Sequence, residues 1–177
     1  MALKKSGIRK YVLLSTILLA GCQADQGSKY WAVTQLKGQE AVRIVPNLFE
    51  LSYVENAGVA FGLLDQIDDS LRIPLIIILP LLATGVIAFI LWRWRNRQLR
   101  MLLPLILVLS GAIGNILDRV NYGYVIDFFY LHYHYRYSFP VFNVADMLVF
   151  AGGIWFMYLL WKDETPLSLL READVMS

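Results

Sequence analysis

Gly111-Ala-Ile-Gly-Asn-Ile-Leu-Asp-Arg119, Tyr122-Gly-Tyr-Val-Ile-Asp-Phe-Phe129 and Phe142-Asn-Val-Ala-Asp146 set strongly polar side chains beside hydrophobic runs. Asn115, Asp118 and Arg119 close one apolar segment. Asp127 follows a bend marked by Gly123, and Asp146 stands inside the start of the next segment. Ionisable groups at membrane depth are costly and by default mark a functional site. Whether the flanking runs span a membrane therefore decides both fold and function.

Composition says that they do. The chain has 177 residues, 58% of them hydrophobic and 17% charged, against a usual apolar share of ~45–50%. The excess is gathered into blocks, the pattern of a small polytopic membrane protein. A net charge of +2 says little about partners, and no nucleic-acid partner is expected. The single cysteine excludes an internal disulfide framework. Neither Cys-x-x-Cys nor His-x-x-x-His occurs, so no metal site and no cofactor are expected.

The first block has two readings. Lys4, Lys5, Arg9 and Lys10 precede an uncharged run from Tyr11 to Ala24, only 14 residues long. That length suits a signal-peptide core, and Leu19-Ala-Gly-Cys22 resembles a four-residue lipobox at which a lipoprotein would be cut. The favoured reading is an uncleaved helix over about 11–31. Asp25 and Lys29 then share a face at i,i+4 with the acid N-terminal, and Tyr30 and Trp31 reach the far interface. Ile73–Trp92 is 20 uncharged residues, about 30 Å of helix and enough for a bilayer core. Spans over about 101–119 and 142–161 follow. The expected fold is a mainly α membrane protein with four transmembrane helices in a single domain, 1–177, ending in a tail over 162–177.

Between the first two helices, about 37–70, the chain changes character. Ala41–Val45 and Leu48–Val54 read as two short strands split by Pro46-Asn47. A sheet that small carries no core of its own, which places it on the membrane surface. The loop Glu55-Asn-Ala-Gly-Val-Ala-Phe-Gly62 is either a hairpin turn or a segment whose small residues let backbone pass close to another chain. An aromatic-rich outer segment, strand-like around Tyr130–Tyr137, precedes the last span.

Charge orients the four helices. With the N-terminus inside, ten basic residues fall on the cytoplasmic side and six outside, so both termini are cytoplasmic. Asp25 and Asn115 each lie 14 residues beyond the start of their spans, roughly 21 Å deep. Asp146 enters from the other side by about 6 Å. In a core ~30 Å thick these depths agree, and they predict one polar cluster just below the extracytoplasmic surface.

Each polar residue also has a plainer reading. Asp118 and Arg119 can form an interfacial ion pair, which is the expected role of Asp118, whereas Arg119 can also reach the site through bidentate contacts. Asn115 and Asn143 are expected to orient backbone or carboxylates. His132 and His134 suit an interfacial aromatic belt better than catalysis. Cys22 should be inert. Asp127 and Asp146 remain. Two carboxylates in a poorly solvated site tend to share a proton, and such a pair can activate water while protonating a carbonyl or leaving amine. Alternatively, Asp146 caps the fourth helix and Asp127 pairs with Arg119 or Arg136.

The chain resembles a known family, the lipoprotein signal peptidases (signal peptidase II), which are bacterial membrane aspartyl peptidases. The likeness rests on Asp25-Gln-x-x-Lys29, Asn56-x-Gly58-x-Ala60-Phe61, Gly114-Asn115-x-x-Asp118-Arg119, Gly123-x-Val125-x-Asp127-Phe128 and Phe142-Asn143-x-Ala145-Asp146, in that order, over about 11–161. The resemblance implies that Asp127 and Asp146 are the catalytic pair. It implies that Asn56, Gly58, Asn115, Arg119 and Asn143 line the site, supported by Asp25 and Lys29. The implied substrate is a diacylglyceryl-modified prolipoprotein, cut on the N-terminal side of its lipidated cysteine. The resemblance also implies an inner-membrane location among membrane lipid, sensitivity to globomycin-type inhibitors, and no metal. A monomer is expected. Two other classes are weighed: an ion-coupled transporter, which would show an internal repeat and midplane charges, and a lipoprotein cleaved at Cys22.

Overall fold

The computed structural model describes residues 2–57 and 68–162. Gly58, Ala60 and Phe61 of the outer loop and the tail beyond Lys162 lie outside the described residues. Four helices and four strands follow one another as α1 (Ala2–Leu36), β1 (Val42–Val45), β2 (Phe49–Asn56), α2 (Asp69–Arg93), α3 (Leu99–Tyr122), β3 (Val125–Tyr133), β4 (Tyr137–Ser138) and α4 (Val144–Lys162).

Three helices, α2, α3 and α4, are long and apolar enough to cross a membrane. Along α2, Leu79, Leu82, Val86 and Phe89 are exposed, an apolar surface that suits hydrocarbon far better than water. α1 is the longest helix, with 35 residues, and its inward stripe is unlike the others. Leu14, Leu18, Gly21, Asp25, Lys29, Ala32 and Leu36 follow at three- and four-residue steps, the spacing of one helical face; Leu18 and Gly21 are half-buried and the rest are buried. The charged pair therefore sits within the packing stripe, where its charges must be compensated internally.

α3 is central: α1, α2 and α4 all pack against it. Close approach depends on small residues, as is usual between membrane helices. A Cβ at Gly111 would run into the Ala145 carbonyl, and one at Gly152 would meet the Pro104 carbonyl, so α3 and α4 are nearly in backbone contact. Gly123 then ends α3 in the left-handed region, at φ 81°. Its N–H donates to the Arg119 carbonyl at 3.0 Å, the αL type of helix stop. The chain turns directly into β3.

The two strands expected in the first half are present as β1 and β2. The aromatic segment is not separate from them: it forms β3 and β4, and all four strands make one antiparallel sheet in the order β1-β2-β3-β4. A two-stranded ribbon is marginal alone, and β3 supplies the face that packs against helices. Ile126 and Phe128 join Ala32 and Leu36 of α1 in one buried cluster. After β4 the chain returns alongside β3, where Phe142 and Phe129 exchange backbone hydrogen bonds at 3.0 and 2.8 Å. This return delivers Asn143 and the start of α4 beside Asp127.

Candidate functional site

The start of α4 is a reciprocal cap. The Asn143 side chain accepts from the Asp146 N–H at 2.9 Å, and Asp146 Oδ2 accepts from the Asn143 N–H at 3.1 Å. This satisfies amides that a helix N-terminus leaves unpaired. The capping role is therefore real, but it uses one side of the carboxylate. Asp146 Oδ1 faces α3 and accepts from Asn115 Nδ2 at 2.8 Å.

Asp127 lies on β3 opposite Val54 of β2. It takes its two hydrogen bonds from asparagines rather than from Arg119 or Arg136: Asn56 Nδ2 donates to Oδ2 at 2.8 Å, and Asn143 Nδ2 donates to Oδ1 at 2.6 Å. One residue, Asn143, thus holds both aspartates, Asp146 by its backbone N–H and side-chain oxygen and Asp127 by its side-chain nitrogen. Asp127 is only 2% exposed. Burial, reinforced by the neighbouring Asp146 charge and opposed by the Asn56 and Asn143 hydrogen bonds and by Lys29, pushes its carboxyl up to about 7. A carboxyl in that range holds or releases a proton near neutral pH.

Behind the two aspartates is a second layer centred on Lys29, which is 1% exposed. Its ammonium lies 2.9 Å from Asp25 Oδ2 and 2.9 Å from Asp118 Oδ2, and donates to Asn115 Oδ1 at 2.9 Å. Each of the two paired carboxylates also holds a backbone amide. Asp25 Oδ1 accepts from the Ala145 N–H at 2.9 Å, and Asp118 Oδ2 accepts from the Ile126 N–H at 3.1 Å. Ala145 immediately precedes Asp146, and Ile126 immediately precedes Asp127. Lys29 thus ties together the two backbone points from which the aspartates hang.

Asp118 departs from expectation. It does not pair with Arg119 at an interface; it is fully buried against Lys29 and also accepts from Gln26 Nε2 at 2.9 Å. Asn115 and Asp118 both reach Lys29 of α1, whereas Arg119 lies about 100° round the helix from Asp118, on the other side of Asn115. Arg119 donates to the Asn115 carbonyl at 3.2 Å, and its buried Nε has no hydrogen-bond partner among the described residues. Its charge acts on Asp146, Asp127 and Asp118, leaving a buried donor facing the carboxylate cluster.

Asp25, Lys29, Asn56, Asn115, Arg119, Asp127, Asn143 and Asp146 are thus brought together, and Gly58 lies outside the described residues. Gln26 is an addition: it bridges Asp25, Asp118 and the Gly114 carbonyl at 3.2, 2.9 and 3.2 Å. Its position one residue after Asp25 was the available signal. His132 is a correction. It is buried rather than part of an outer belt, stacked against Tyr130 and Tyr135 with centroids 4.9 and 4.0 Å away, and its Nε2 lies 3.6 Å from Glu50. Alternation along β3 turns it to the sheet's covered side. Cys22 is half-buried, with Sγ 3.6 Å from the Ser110 carbonyl.

Close packing carries the second layer. A Cβ at Gly114 would fall on the Asp25 carboxylate. Gly114→Ala is therefore expected to lower stability by about 1–3 kcal/mol through overpacking, read as an earlier thermal unfolding transition in detergent. An unchanged transition would show that Asp25 can move without loss.

Residues 17–162 match the family model described as signal peptidase (SPase) II, Peptidase_A8. The chain is 38% identical to the lipoprotein signal peptidase of Syntrophotalea carbinolica, over 91% of this chain and 96% of that one. It is 39% identical to that of Clostridioides difficile, over 85% and 95%. A solved bacterial membrane enzyme superposes with a TM-score of 0.72 at 25% identity, covering 86% of this chain and 90% of its own. With its helices, its buried carboxylates and this likeness along most of its length, the chain belongs to the signal peptidase II family.

Proposed function

We propose that this chain is an aspartyl endopeptidase that removes signal peptides from diacylglyceryl-modified bacterial prolipoproteins, cutting on the N-terminal side of the lipidated cysteine. The observation that carries the reading is the pair Asp127 and Asp146, both held by Asn143, with the Asp127 carboxyl pushed up to about 7. The pair shares one proton, and burial of Asp127 favours that carboxyl as its holder. The ionised aspartate takes a proton from water as that water attacks the scissile carbonyl. The protonated one donates to the carbonyl oxygen, and a proton then passes to the leaving amine. Arg119, whose Nε has no partner among the described residues, is placed to hold a substrate carbonyl or lipid ester oxygen beside the pair.

The same reading fixes the setting: the bacterial inner membrane, four spans, both termini cytoplasmic, a site near the extracytoplasmic surface, a monomer, and sensitivity to globomycin. α1 supports the four-span layout, since its 35 residues extend about 52 Å, well beyond a ~30 Å core, and its Asp25 and Lys29 are buried against protein rather than facing lipid.

The direct test is cleavage of a lipidated prolipoprotein by the purified protein in detergent. Its pH dependence has a definite sign. Asp127 releases its proton as pH rises through about 7, so kcat/KM should fall about tenfold per pH unit above that point. Removing the Asn56 hydrogen bond, which holds the Asp127 carboxyl down, shifts this limb upward in Asn56→Ala. A flat profile from pH 6 to 9, or a downward shift in Asn56→Ala, would remove Asp127 as the proton carrier.

A further inference from the structure

The end of the bundle away from the carboxylates holds a feature that proteolysis does not use. Among the described residues α1 and α2 each pack along α3 and make no close backbone approach to one another, and a cleft of about 340 Å³ opens among the three helices. Leu14, Leu18, Leu102 and Ile106 line its wall, and Tyr11, Trp92 and Arg95 stand at its mouth. That volume lies within the range of small-molecule sites, and its wall is apolar.

The mouth is cationic. The short connection from α2 to α3 brings Arg93, Arg95 and Arg97 together, all exposed. Lys10 ties α1 to this connection by donating to the Arg95 and Arg97 carbonyls at 2.5 and 3.2 Å, and the Tyr11 hydroxyl donates to the Arg95 carbonyl at 3.3 Å. The Arg95 guanidinium lies over the Trp92 ring, 5.1 Å from its centroid, and donates to the Trp92 carbonyl at 3.0 Å. No aspartate or glutamate occurs in residues 2–24, 70–117 or 147–162. Positive charge at this end is uncompensated by acids among those described residues.

We propose that the cleft binds one anionic phospholipid, its acyl chain lying on α3 between α1 and α2 and its phosphate at Arg95 and Arg97. An apolar slot with an arginine rim is complementary to an anionic amphiphile, and basic pockets between membrane helices take such head groups. A departing signal peptide, the alternative occupant under the substrate reading above, would bring its own basic leading end to this mouth and be repelled. The bound lipid also fills the gap on the α1 side of α2, whose close backbone contacts among the described residues are to α3.

The test is native mass spectrometry of the full-length protein exchanged against phosphatidylglycerol or phosphatidylethanolamine, which reads lipid retention without any substrate. One phosphatidylglycerol should be retained in preference to phosphatidylethanolamine. Each cation near the head group contributes about fivefold, so Arg95→Gln with Arg97→Gln should weaken retention about 25-fold. Ser15→Trp, which keeps the charge but fills the cleft from an exposed lining position, should also abolish the retained lipid. Prolipoprotein cleavage by each variant in detergent should remain unchanged, and the unfolding transition of each reports folding independently of cleavage. Equal retention of the two lipids, or undiminished retention in either variant, overturns the proposal. So does retention that arises only after Asp163, Glu164, Glu172 and Asp174 of the tail are neutralised, because the arginines would then serve the tail.

Discussion

Asp127→Asn and Asp146→Asn are each expected to abolish prolipoprotein cleavage while leaving a folded, membrane-inserted protein. General acid and base roles are each worth ~10²–10⁴ in rate. In the proposed mechanism the two roles depend on one shared proton, so either substitution removes both and the loss should exceed about 10⁴-fold. The fold should survive because among the described residues neither aspartate carries a buried ion pair. Asp127 is held by two asparagine amides and Asp146 by one amide and a capping backbone N–H. An asparagine keeps the size and one acceptor at each place, and the loss of a cap costs only about 0.5–2 kcal/mol. The measurement is single-turnover cleavage of a lipidated substrate, with thermal unfolding in the same detergent as the fold control. Activity within tenfold of the parent in either folded variant would end the two-carboxylate mechanism.

The parts of this architecture legible in the sequence are those governed by helical period. Apolar runs of adequate length announced α2, α3 and α4, and counting residues inward from the ends of the first, third and fourth spans brought Asp25, Asn115 and Asp146 to one level. Asp25 meets the Ala145 amide and Asn115 meets Asp146, so the three do converge. What sequence left obscure depends on long-range pairing. Asp118 next to Arg119 looks like a local ion pair, and only the rotation of α3 against α1 shows that it belongs to Lys29. His132 among tyrosines looks like surface, and only the pairing of β3 with β2 buries it beside Glu50. The two halves of the sheet are separated by two helices, a connection that no turn signal marks.

Lys29→Met is expected to have the largest effect on stability, and the reason lies in what its charge holds apart from solvent. Asp25 and Asp118 have no measurable exposure, and each lies 2.9 Å from the Lys29 ammonium. Removing one partner of a buried ionic cluster leaves carboxylates uncompensated and costs about 3–5 kcal/mol. Replacing all three with neutral residues of similar size, Asp25→Asn, Lys29→Met and Asp118→Asn together, should recover much of that loss, since a neutral buried cluster has no unpaired charge. Catalysis separates the two quantities. Asparagines at 25 and 118 can still accept from the Ala145 and Ile126 amides, but the ammonium that ties the two side chains to each other is gone, so the triple variant, although refolded, no longer fixes the spacing between Asp146 and Asp127. A misplacement of about 1 Å at reacting groups costs about 10²-fold, and here it should appear in kcat with KM little changed. Lys29 would be a positioning residue acting through two backbone amides. If the triple variant regained full kcat along with stability, Lys29 would serve the fold alone. If Lys29→Met unfolded at the parental temperature, the buried cluster would not depend on its charge.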